Sequence, residues 1–447
     1  MTTRTSRGAQ PGPSRREQLT AIAATLFARD GYHNVTVGDI AAAAGLSGPA
    51  IYRHFPGKQA ILAEVVRSGF DEMAGAVAAD LAGSPDPAQR LHTVYRDLAA
   101  FVIRRPEFGV MWRREYRHLA PADAAELAKR MGEASGTAVA EIRRLRPALP
   151  AADAELLAWA ALSVLGSISD HRVRPPRAAF EDLLAGIAMD VASTEFGPEE
   201  TDNRPQEPRR EDRKEQILAA AAQLFWDRGY HAVTLEEIGA AAGIAGPSIY
   251  SHFAGKTDLL RTITERIGER LRLTLAEEEA VGAAPVDALT AAAAGDPAAA
   301  PAPPPGRAPI AGDRATTAPT TPTPTPSAAR AALCALAARY VATVLTSRDL
   351  VAAYFTEGHN LPDRDRADTR RFQRAYAAHW AALLSAACPE RSPEEVRIRV
   401  LAAFAVVNDT ARTRRLMDRP GLAGRLRAVM LAVLLTPDPG ARDVNRR

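Results

Sequence analysis

Residues 16–62 read REQLTAIAATLFARDGYHNVTVGDIAAAAGLSGPAIYRHFPGKQAIL, and residues 214–260 repeat the pattern as KEQILAAAAQLFWDRGYHAVTLEEIGAAAGIAGPSIYSHFAGKTDLL. With Arg15 and Arg213 included, about 27 of 48 positions are identical at a fixed offset of 198 residues. Two unrelated Ala-rich stretches do not reach this similarity by chance, so the chain contains an internal repeat.

The first helix of each copy is indicated by apolar residues that recur at helical intervals. In the first copy these residues are Leu19, Ile22, Ala23, Leu26 and Phe27. Gly31 follows as a C-terminal stop signal. The corresponding stretch of the second copy runs from Ile217 to Phe225 and ends at Gly229.

Two shorter helices follow in each copy. The capping box Thr36-x-x-Asp39 opens a helix over Val37–Ala44, and Gly45 breaks it. Ser47-Gly48-Pro49 then starts a third helix, with proline in its first turn. The second copy repeats these steps from Thr234 to Phe253. Each copy therefore predicts a helix-turn-helix, and because no strand-like alternation persists, the chain is predicted to be all-α.

The composition is that of a soluble globular protein of two to four domains. The 447 residues are 47% hydrophobic and 24% charged, with a formal net charge of +3, so any nucleic-acid surface must be local. Cys334 and Cys388 have neither metal-ligand nor redox spacing, which fits a reducing cytosol. The basic N-terminus has no apolar signal region. Apolar runs such as Leu156–Ile168 fall short of the ~18 residues that span a bilayer. We expect a cytoplasmic protein without a membrane partner.

Enzyme chemistry has little support in the sequence. It contains no phosphate-cradling Gly loop, no metal-ligand cluster and no nucleophile elbow. We therefore expect no catalytic residues, no cofactor and no metal.

A helix that reads DNA needs small residues at its start, so that its backbone can approach the major groove, and donors beside it for phosphates. The first copy supplies Ser47, Gly48, Pro49, Ala50, Thr36, Tyr52, Arg53, His54 and Lys58. The second supplies Ala245, Gly246, Pro247, Ser248, Thr234, Tyr250, Ser251, His252 and Lys256.

Some of these assignments have alternatives. Phe55 and Phe253 are expected in the core rather than on DNA, and His54 and His252 either contact DNA or cap helix ends. The arm that carries Arg4, Arg7, Arg15 and Arg16 either reaches phosphates or is a solvated tail.

The string GxxxVTVxDIAxxAGLSxxAIYRHFPGKxxxL resembles the DNA-binding domain of the TetR family of bacterial repressors. The resemblance is dense over residues 15–62 and 213–260, and the rest of each half resembles the family only in helical style. It implies three N-terminal DNA-binding helices in each half, a helical ligand cavity and a two-helix dimerisation face. The family works as a homodimer, whereas this chain contains both protomers. An intramolecular pseudo-dimer is therefore expected, with a homodimer of chains as the alternative.

Beyond the two helix-turn-helix segments, which we call the readers, helical patterns rich in Ala, Leu and Arg recur in both halves. Those of the first half are Asp86–Arg105, Asp123–Arg146, Ala151–His171 and Arg177–Glu195. Those of the second are Ala328–Ser347, Asp365–Ala387, Pro393–Arg415 and Leu422–Leu435. Residues 112–119 and 354–361 align at an offset of 242, which indicates an insertion. The Pro/Ala/Thr-rich tract Val281–Ser327 is that insertion and is predicted to be disordered.

This organisation gives the following domains: a flexible basic arm (1–14), a first reader (15–62), a first ligand and dimerisation domain (63–196), a linker (197–212), a second reader (213–260), a second ligand and dimerisation domain (261–439) and a tail (440–447). By resemblance, the last two helical patterns of each half form the dimerisation faces.

Candidate ligand residues are less certain because aromatic residues at helical spacing are more often core. Half one offers Trp112, Tyr116, His118, Trp159, Ser163 and Asp170. Half two offers Tyr354, His359, Tyr376, Trp380, Asn408 and Asp409.

We expect a transcriptional regulator, most simply a repressor that a small apolar or amphipathic effector releases from double-stranded operator DNA. The effector would change the separation of two reading helices that must lie ~34–36 Å apart to enter successive major grooves. Because Arg53 in one reader corresponds to Ser251 in the other, the operator is expected to be an imperfect palindrome. The alternative is a ligand-binding or partner-docking helical protein that has lost specific DNA binding.

Overall fold

A computed structural model describes residues 14–81, 84–197, 212–244, 246–279 and 324–436. Within these ranges the chain forms helices and no strand, as the sequence predicts. The predicted disordered insert lies outside the described residues except at its end, since a helix begins at Pro326. Most of the linker, the arm and the tail also lie outside them.

Half one contains α1 (Arg15–Asp30), α2 (Val37–Ala43), α3 (Gly48–Ile51), α4 (Lys58–Leu81), α5 (Pro87–Arg104), α6 (Glu107–Val110), α7 (Pro121–Leu145), α8 (Ala151–Gly166) and α9 (Arg177–Ala192). A π-helical turn, Met111–Glu115, and 3-10 turns at Tyr116–His118 and Ser167–Asp170 complete it.

Half two contains α10 (Arg213–Arg228), α11 (Leu235–Ala241), a 3-10 helix (Gly246–Ser251), α12 (Lys256–Glu279), α13 (Pro326–Thr346), α14 (Arg348–Glu357), a 3-10 turn (Gly358–Asn360), α15 (Asp363–Ala387), α16 (Pro393–Ala411), α17 (Arg414–Met417) and α18 (Leu422–Leu435).

The two halves keep the same register after the insertion. Helices α7 and α15 begin at Pro121 and Asp363 and end at Leu145 and Ala387, so both ends differ by the offset of 242 that the sequence gives. Helix α16 differs from its prediction, because it ends at Ala411 rather than continuing to Arg415.

The described chain divides into two compact units, and the division does not follow the two halves. One unit comprises Met1–Glu155 with Ile168–Asp170, and the other comprises Leu156–Ser167 with His171–Arg447. The second unit therefore includes most of α8 and all of α9 from half one together with half two.

Two helical stretches, Ala151–Asp170 and Pro326–Thr346, are long and apolar enough to cross a membrane, which corrects the expectation that every apolar run is too short. Core helices pass the same test. In the first stretch, 67% of the most apolar window is buried within the protein.

Candidate nucleic-acid interface

The framework of each reader is built from capped helices and a glycine turn. Ser14 and Glu17 form a capping box at the start of α1. Gly45 and Gly243 have φ of 66° and 70° between the second and third helices, a conformation that glycine adopts without strain. Ile51 and Phe55 are 0% and 1% exposed, and their counterparts Ile249 and Phe253 are equally buried. These side chains anchor the third helix and fix which of its residues face outward.

The outward residues include the predicted tyrosine and histidine of each copy. Tyr52 and Tyr250 are 59% and 56% exposed, unusual values for a large aromatic side chain. His252 is exposed and His54 is half-buried. A tyrosine held in solvent beside a buried isoleucine is available to donate its hydroxyl to a phosphate.

The third helices differ between the readers. Ser47, Pro49 and Arg53 are exposed around α3, while Gly48 and Ala50 are half-buried. Half two has a 3-10 helix at this position. Its Ser248 and Ser251 are exposed, and the Ser251 hydroxyl donates to the Ser248 carbonyl at 2.7 Å. Ala245 lies outside the described residues, and of Gly246 and Pro247 only the backbone is described.

Thr36 and Thr234, predicted as phosphate donors, act as helix caps. The Thr36 hydroxyl accepts from the Asp39 amide at 3.1 Å and donates to the Asp39 carboxylate at 2.7 Å. The Thr234 hydroxyl accepts from the Glu237 amide at 3.2 Å. The hydroxyl and the backbone N–H of Thr36 both donate to the Asp39 carboxylate and lower its pKa, so this cap is charged at neutral pH. In half one, the hydroxyl proton is therefore committed within the reader.

The lysines differ more clearly from the prediction. Lys58 Nζ donates to the carbonyls of Tyr32 and Val35 at 2.8 and 2.9 Å and lies 4.3 Å from the Tyr32 ring centroid. Lys256 Nζ makes the same pair of bonds at 2.8 Å to the carbonyls of Tyr230 and Val233. Burial lowers the pKa of both ammonium groups. Each lysine is the first residue of the fourth helix of its reader, and its ammonium binds the turn that follows the first helix. Each ammonium is therefore engaged within the reader, whereas the sequence predicted a phosphate donor.

Arg15 and Arg16, in the first turn of α1, are also bound to their own reader. Arg16 donates to the His54 carbonyl at 2.5 Å, pairs with Glu64 at 2.7 Å and lies 4.2 Å from the Phe55 ring centroid. Arg15 donates to the Ala44 carbonyl at 3.1 Å. Arg4 and Arg7 lie outside the described residues.

Sequence reasoning missed the joint between the first reader and the helices that follow it. Glu115, 1% exposed, accepts the backbone N–H of Tyr32 at 3.0 Å. The neighbouring Arg114 donates to the carbonyls of Phe27 and Ala28 at 3.1 and 2.9 Å, at the C-terminal end of α1. His118 stacks on the Tyr32 ring at 5.2 Å.

In half two, different side chains at the corresponding positions connect the reader to the helices that follow it. His231 hydrogen-bonds Asn360 at 2.8 Å, and the Asn360 amide donates to the buried Glu357 at 2.9 Å. Glu357 and Asn360 align with Glu115 and His118 at the offset of 242. A glutamate repeated at the offset of 242, as Glu115 and Glu357, is the signal that would have indicated this joint.

The predicted ligand residues of half one are divided between the two compact units. Trp112 stacks on Tyr116 at 5.1 Å and meets Phe70 edge-on at 5.9 Å. Asp170 pairs with Arg113 at 3.2 Å, and His118 belongs to the joint. Trp159 and Ser163 lie in the other compact unit, where the Ser163 hydroxyl donates to the Trp159 carbonyl at 3.0 Å.

In half two, the structure brings several predicted residues together. Tyr376 and Trp380 are 4% and 0% exposed, and Asn408 accepts the Tyr340 hydroxyl at 3.1 Å. Tyr354 is buried and meets Phe355 edge-on at 4.9 Å. His359 is half-buried in the 3-10 turn, and Asp409 pairs with Arg412. No group of three or more His, Cys, Asp and Glu side chains in the described ranges could hold a metal ion.

The fold and site define a class of all-helical proteins with two helix-turn-helix readers in one chain. The family model of bacterial regulatory proteins of the tetR family matches residues 19–65 and again 217–263. The model described as "Tetracyclin repressor-like, C-terminal domain" matches residues 326–412. Residues 19–65, 217–263 and 326–412 are therefore domains of the TetR family.

Similar proteins are transcriptional regulators rather than enzymes. The HTH-type transcriptional activator FasR of Mycolicibacterium smegmatis is 42% identical over 57 residues, which is 13% of this chain and 26% of that protein. The HTH-type transcriptional repressor KstR2 of Rhodococcus jostii is 44% identical over 61 residues, 14% of this chain and 30% of that protein. The matched segments thus span less than a third of the length of these relatives.

A solved structure of the ketosteroid transcriptional regulator KstR2 of Mycobacterium tuberculosis is similar with a TM-score of 0.37 and 22% identity. The match covers 41% of this chain and 97% of that chain.

Proposed function

We propose that this chain is a cytoplasmic, DNA-binding transcriptional regulator that engages one operator with both of its readers. The observation that carries the proposal is the repeated exposed tyrosine, Tyr52 and Tyr250, beside a buried isoleucine in each reader. This arrangement serves no packing need of the reader, whereas a phosphate would accept both hydroxyls. The small net charge fits recognition by local surfaces.

Gly48 gives independent support for contact with DNA. A Cβ atom placed on Gly48 would meet nothing within 4 Å apart from its two chain neighbours, so tertiary packing does not demand glycine there. A reading helix that approaches a groove closely does favour a residue without a side chain. The start of α3 is therefore suited to an external partner rather than to the interior.

The two readers are proposed to bind unequal half-sites. Arg53 is exposed beside α3, and the corresponding Ser251 is exposed but already donates its hydroxyl to its own backbone. An arginine that contacts guanine bidentately discriminates by ~1–3 kcal/mol, and a serine discriminates less. Since the readers of a fused chain need not be identical, the operator is proposed to be an imperfect palindrome.

Intramolecular pairing of the dimerisation helices is supported by contacts inside the second compact unit. Helix α9 of half one packs against α18 of half two. Arg399, 2% exposed, lies 3.8 Å from Asp190 and donates to the Val433 carbonyl at 2.9 Å. Leu184 and Leu426 are fully buried. One chain would thus be the equivalent of a homodimer.

We propose repression with release by a small apolar or amphipathic effector. Among the relatives, the KstR2 proteins are named repressors and FasR is named an activator. A helical interior rich in aromatic residues suits an apolar guest. By linkage, effector and operator would weaken each other's binding by the same factor.

Selection of bound duplexes from a random library at fixed salt tests the proposal. The expected result is enrichment of two unequal half-sites about one helical turn apart, ~34–36 Å. Failure to enrich any sequence would contradict specific DNA binding.

Paired variants then test whether each reader contributes. Replacing Tyr52 and His54 with Ala, or Tyr250 and His252 with Ala, should each weaken binding to the selected duplex in a gel-shift titration. If either pair is dispensable, that reader is a structural remnant and the two-reader proposal is wrong.

A further inference from the structure

The interior of half two is filled by its own aromatic rings. Tyr340 lies 5.0 Å from Phe404 and 5.8 Å from Trp380, and Trp380 lies 5.2 Å from Phe404, all between ring centroids. The hydroxyls of this cluster are satisfied internally, because Tyr340 donates to Asn408 at 3.1 Å and Tyr376 hydrogen-bonds Thr274 at 3.0 Å. The Trp380 indole N–H has no acceptor among the described residues, but rings of half two occupy the space around the indole.

Half one has small residues at the same positions. At the offset of 242, Leu98 replaces Tyr340, Ala134 replaces Tyr376 and Ala138 replaces Trp380. Ala134 and Ala138 are half-exposed, whereas Tyr376 and Trp380 are buried. The exchanges remove a phenol, an indole and part of a third ring, while Tyr95 in place of Ala337 adds one phenol, so the net loss has the bulk of a molecule of about two rings.

A buried ion pair holds α5 and α7 of half one together. Arg90 Nε and Glu141 Oε2 are 2.7 Å apart, with the two side chains 10% and 3% exposed. Half two has Ala332 and Leu383 at these positions. Buried charges are tolerated only with good geometry, so the pair fixes the separation of α5 and α7. In half two, aromatic packing holds the corresponding helices α13 and α15 together.

A buried hydroxyl on α5, one of the two helices that carry these exchanges, marks a polar contact point. Tyr95, on α5 one turn before Leu98, is 2% exposed, and its hydroxyl has no hydrogen-bond partner among the described residues. Ala337 takes its place in half two. An unsatisfied buried hydroxyl is costly, and the oxygen of a bound molecule would satisfy it.

We propose that half one alone binds the effector, between α5 and α7, and that half two carries its own rings in place of a ligand. The effector is an uncharged, mainly apolar molecule of about two rings with one oxygen that hydrogen-bonds Tyr95. Its neutrality follows from the lining, since Tyr95, Leu98, Ala134 and Ala138 carry no charge. The inference rests on the proposed function only in calling the guest an effector.

The test is a titration of the full-length chain, labelled at its alanine methyl groups, with 1-naphthol observed by NMR. Saturable shifts of the Ala134 and Ala138 methyls are expected, while the Ala337 methyl in half two stays unchanged. Saturable shifts of Ala337, equal shifts in both halves, or no saturable shift up to the solubility of the probe would overturn the proposal.

Filling half one with the residues of half two provides the matched variant. The double substitution Ala134→Tyr with Ala138→Trp should abolish the shifts, and retained saturable binding would overturn the proposal. Should this variant fail to fold, Tyr95→Phe is the second arm. It should weaken 1-naphthol about fivefold and leave naphthalene, which lacks the oxygen, unaffected. Equal effects on both probes would refute the role of Tyr95.

Operator binding, measured separately on the selected duplex, keeps the two proposals distinguishable. Naphthol shifts in half one without sequence-specific DNA binding would refute the proposed function as a regulator, but not the proposed binding site in half one. Specific DNA binding without those shifts would refute the proposed binding site in half one, but not the proposed function as a regulator.

Discussion

Replacing both reader lysines, Lys58→Met with Lys256→Met, separates a positioning role from phosphate contact. In each reader the ammonium donates to two backbone carbonyls at 2.8–2.9 Å and lies over a tyrosine ring. Such charged hydrogen bonds are worth ~1.5–3 kcal/mol each when buried, but these groups are half-buried, so we estimate about 2 kcal/mol per reader. If half of that loss in each reader appears as misplacement of the third helix, the double variant loses about 2 kcal/mol of binding free energy, and operator affinity falls about thirtyfold.

The salt dependence of operator binding distinguishes the two roles. A lysine that neutralises a phosphate contributes about 0.9 to the slope of log affinity against log salt, so losing two such contacts lowers the slope by about 2. A positioning lysine lowers affinity at every salt concentration and leaves the slope unchanged, which is the result we expect from fluorescence anisotropy titrations. Lys129→Met on α7 is the matched control, since this exposed lysine lies outside the readers. A slope reduced by about 2 with unchanged thermal stability would refute the positioning role.

Three further outcomes are expected. Gly48→Ala should change the free energy of unfolding by less than about 0.5 kcal/mol, because an added Cβ meets no atom beyond its chain neighbours and the steric effect of Pro49 offsets the entropic gain, yet weaken operator binding in gel shifts; unchanged binding would contradict close approach to DNA. Glu115→Leu should lower the free energy of unfolding by about 2 kcal/mol in urea titrations, since the Tyr32 amide loses its buried acceptor, and an unchanged midpoint would contradict the joint. Burial, with nearby Arg174 and Arg397, lowers the pKa of His171 from 6.5 to about 4. The unfolded chain thus binds this proton at higher pH than the folded chain, and stability present above pH 6.5 is lost towards pH 4 by up to roughly 3 kcal/mol. A His171→Phe variant should lack that part of the loss in melts across this range.

The sequence predicted the helices best where their ends carry local signals. The bounds of α18, Leu422–Leu435, match the prediction, and both capping boxes of the second helices form. The end of α16 was placed too late because neither glycine nor proline marks Ala411. The π-helical turn Met111–Glu115 has no signal that a periodicity of 3.6 residues would reveal.

The exposed residues of the interface followed from the pattern, but the partners of its polar side chains did not. Buried Ile51 and Phe55, four residues apart, determine that Tyr52 and Arg53 face solvent. The role of Lys58 depends on where the carbonyls of a turn 23 residues away lie, and this is decided by tertiary packing. Residue type alone therefore identified a cation in the reader but not the atoms that it contacts.

The most direct test of the central claim is the mass of the complex between the full-length chain and its selected operator, measured by sedimentation equilibrium. The account predicts one chain per duplex at saturation, because a single polypeptide supplies both readers and both pairs of dimerisation helices. A complex of two chains per duplex, with the free protein also a stable two-chain species, would contradict it.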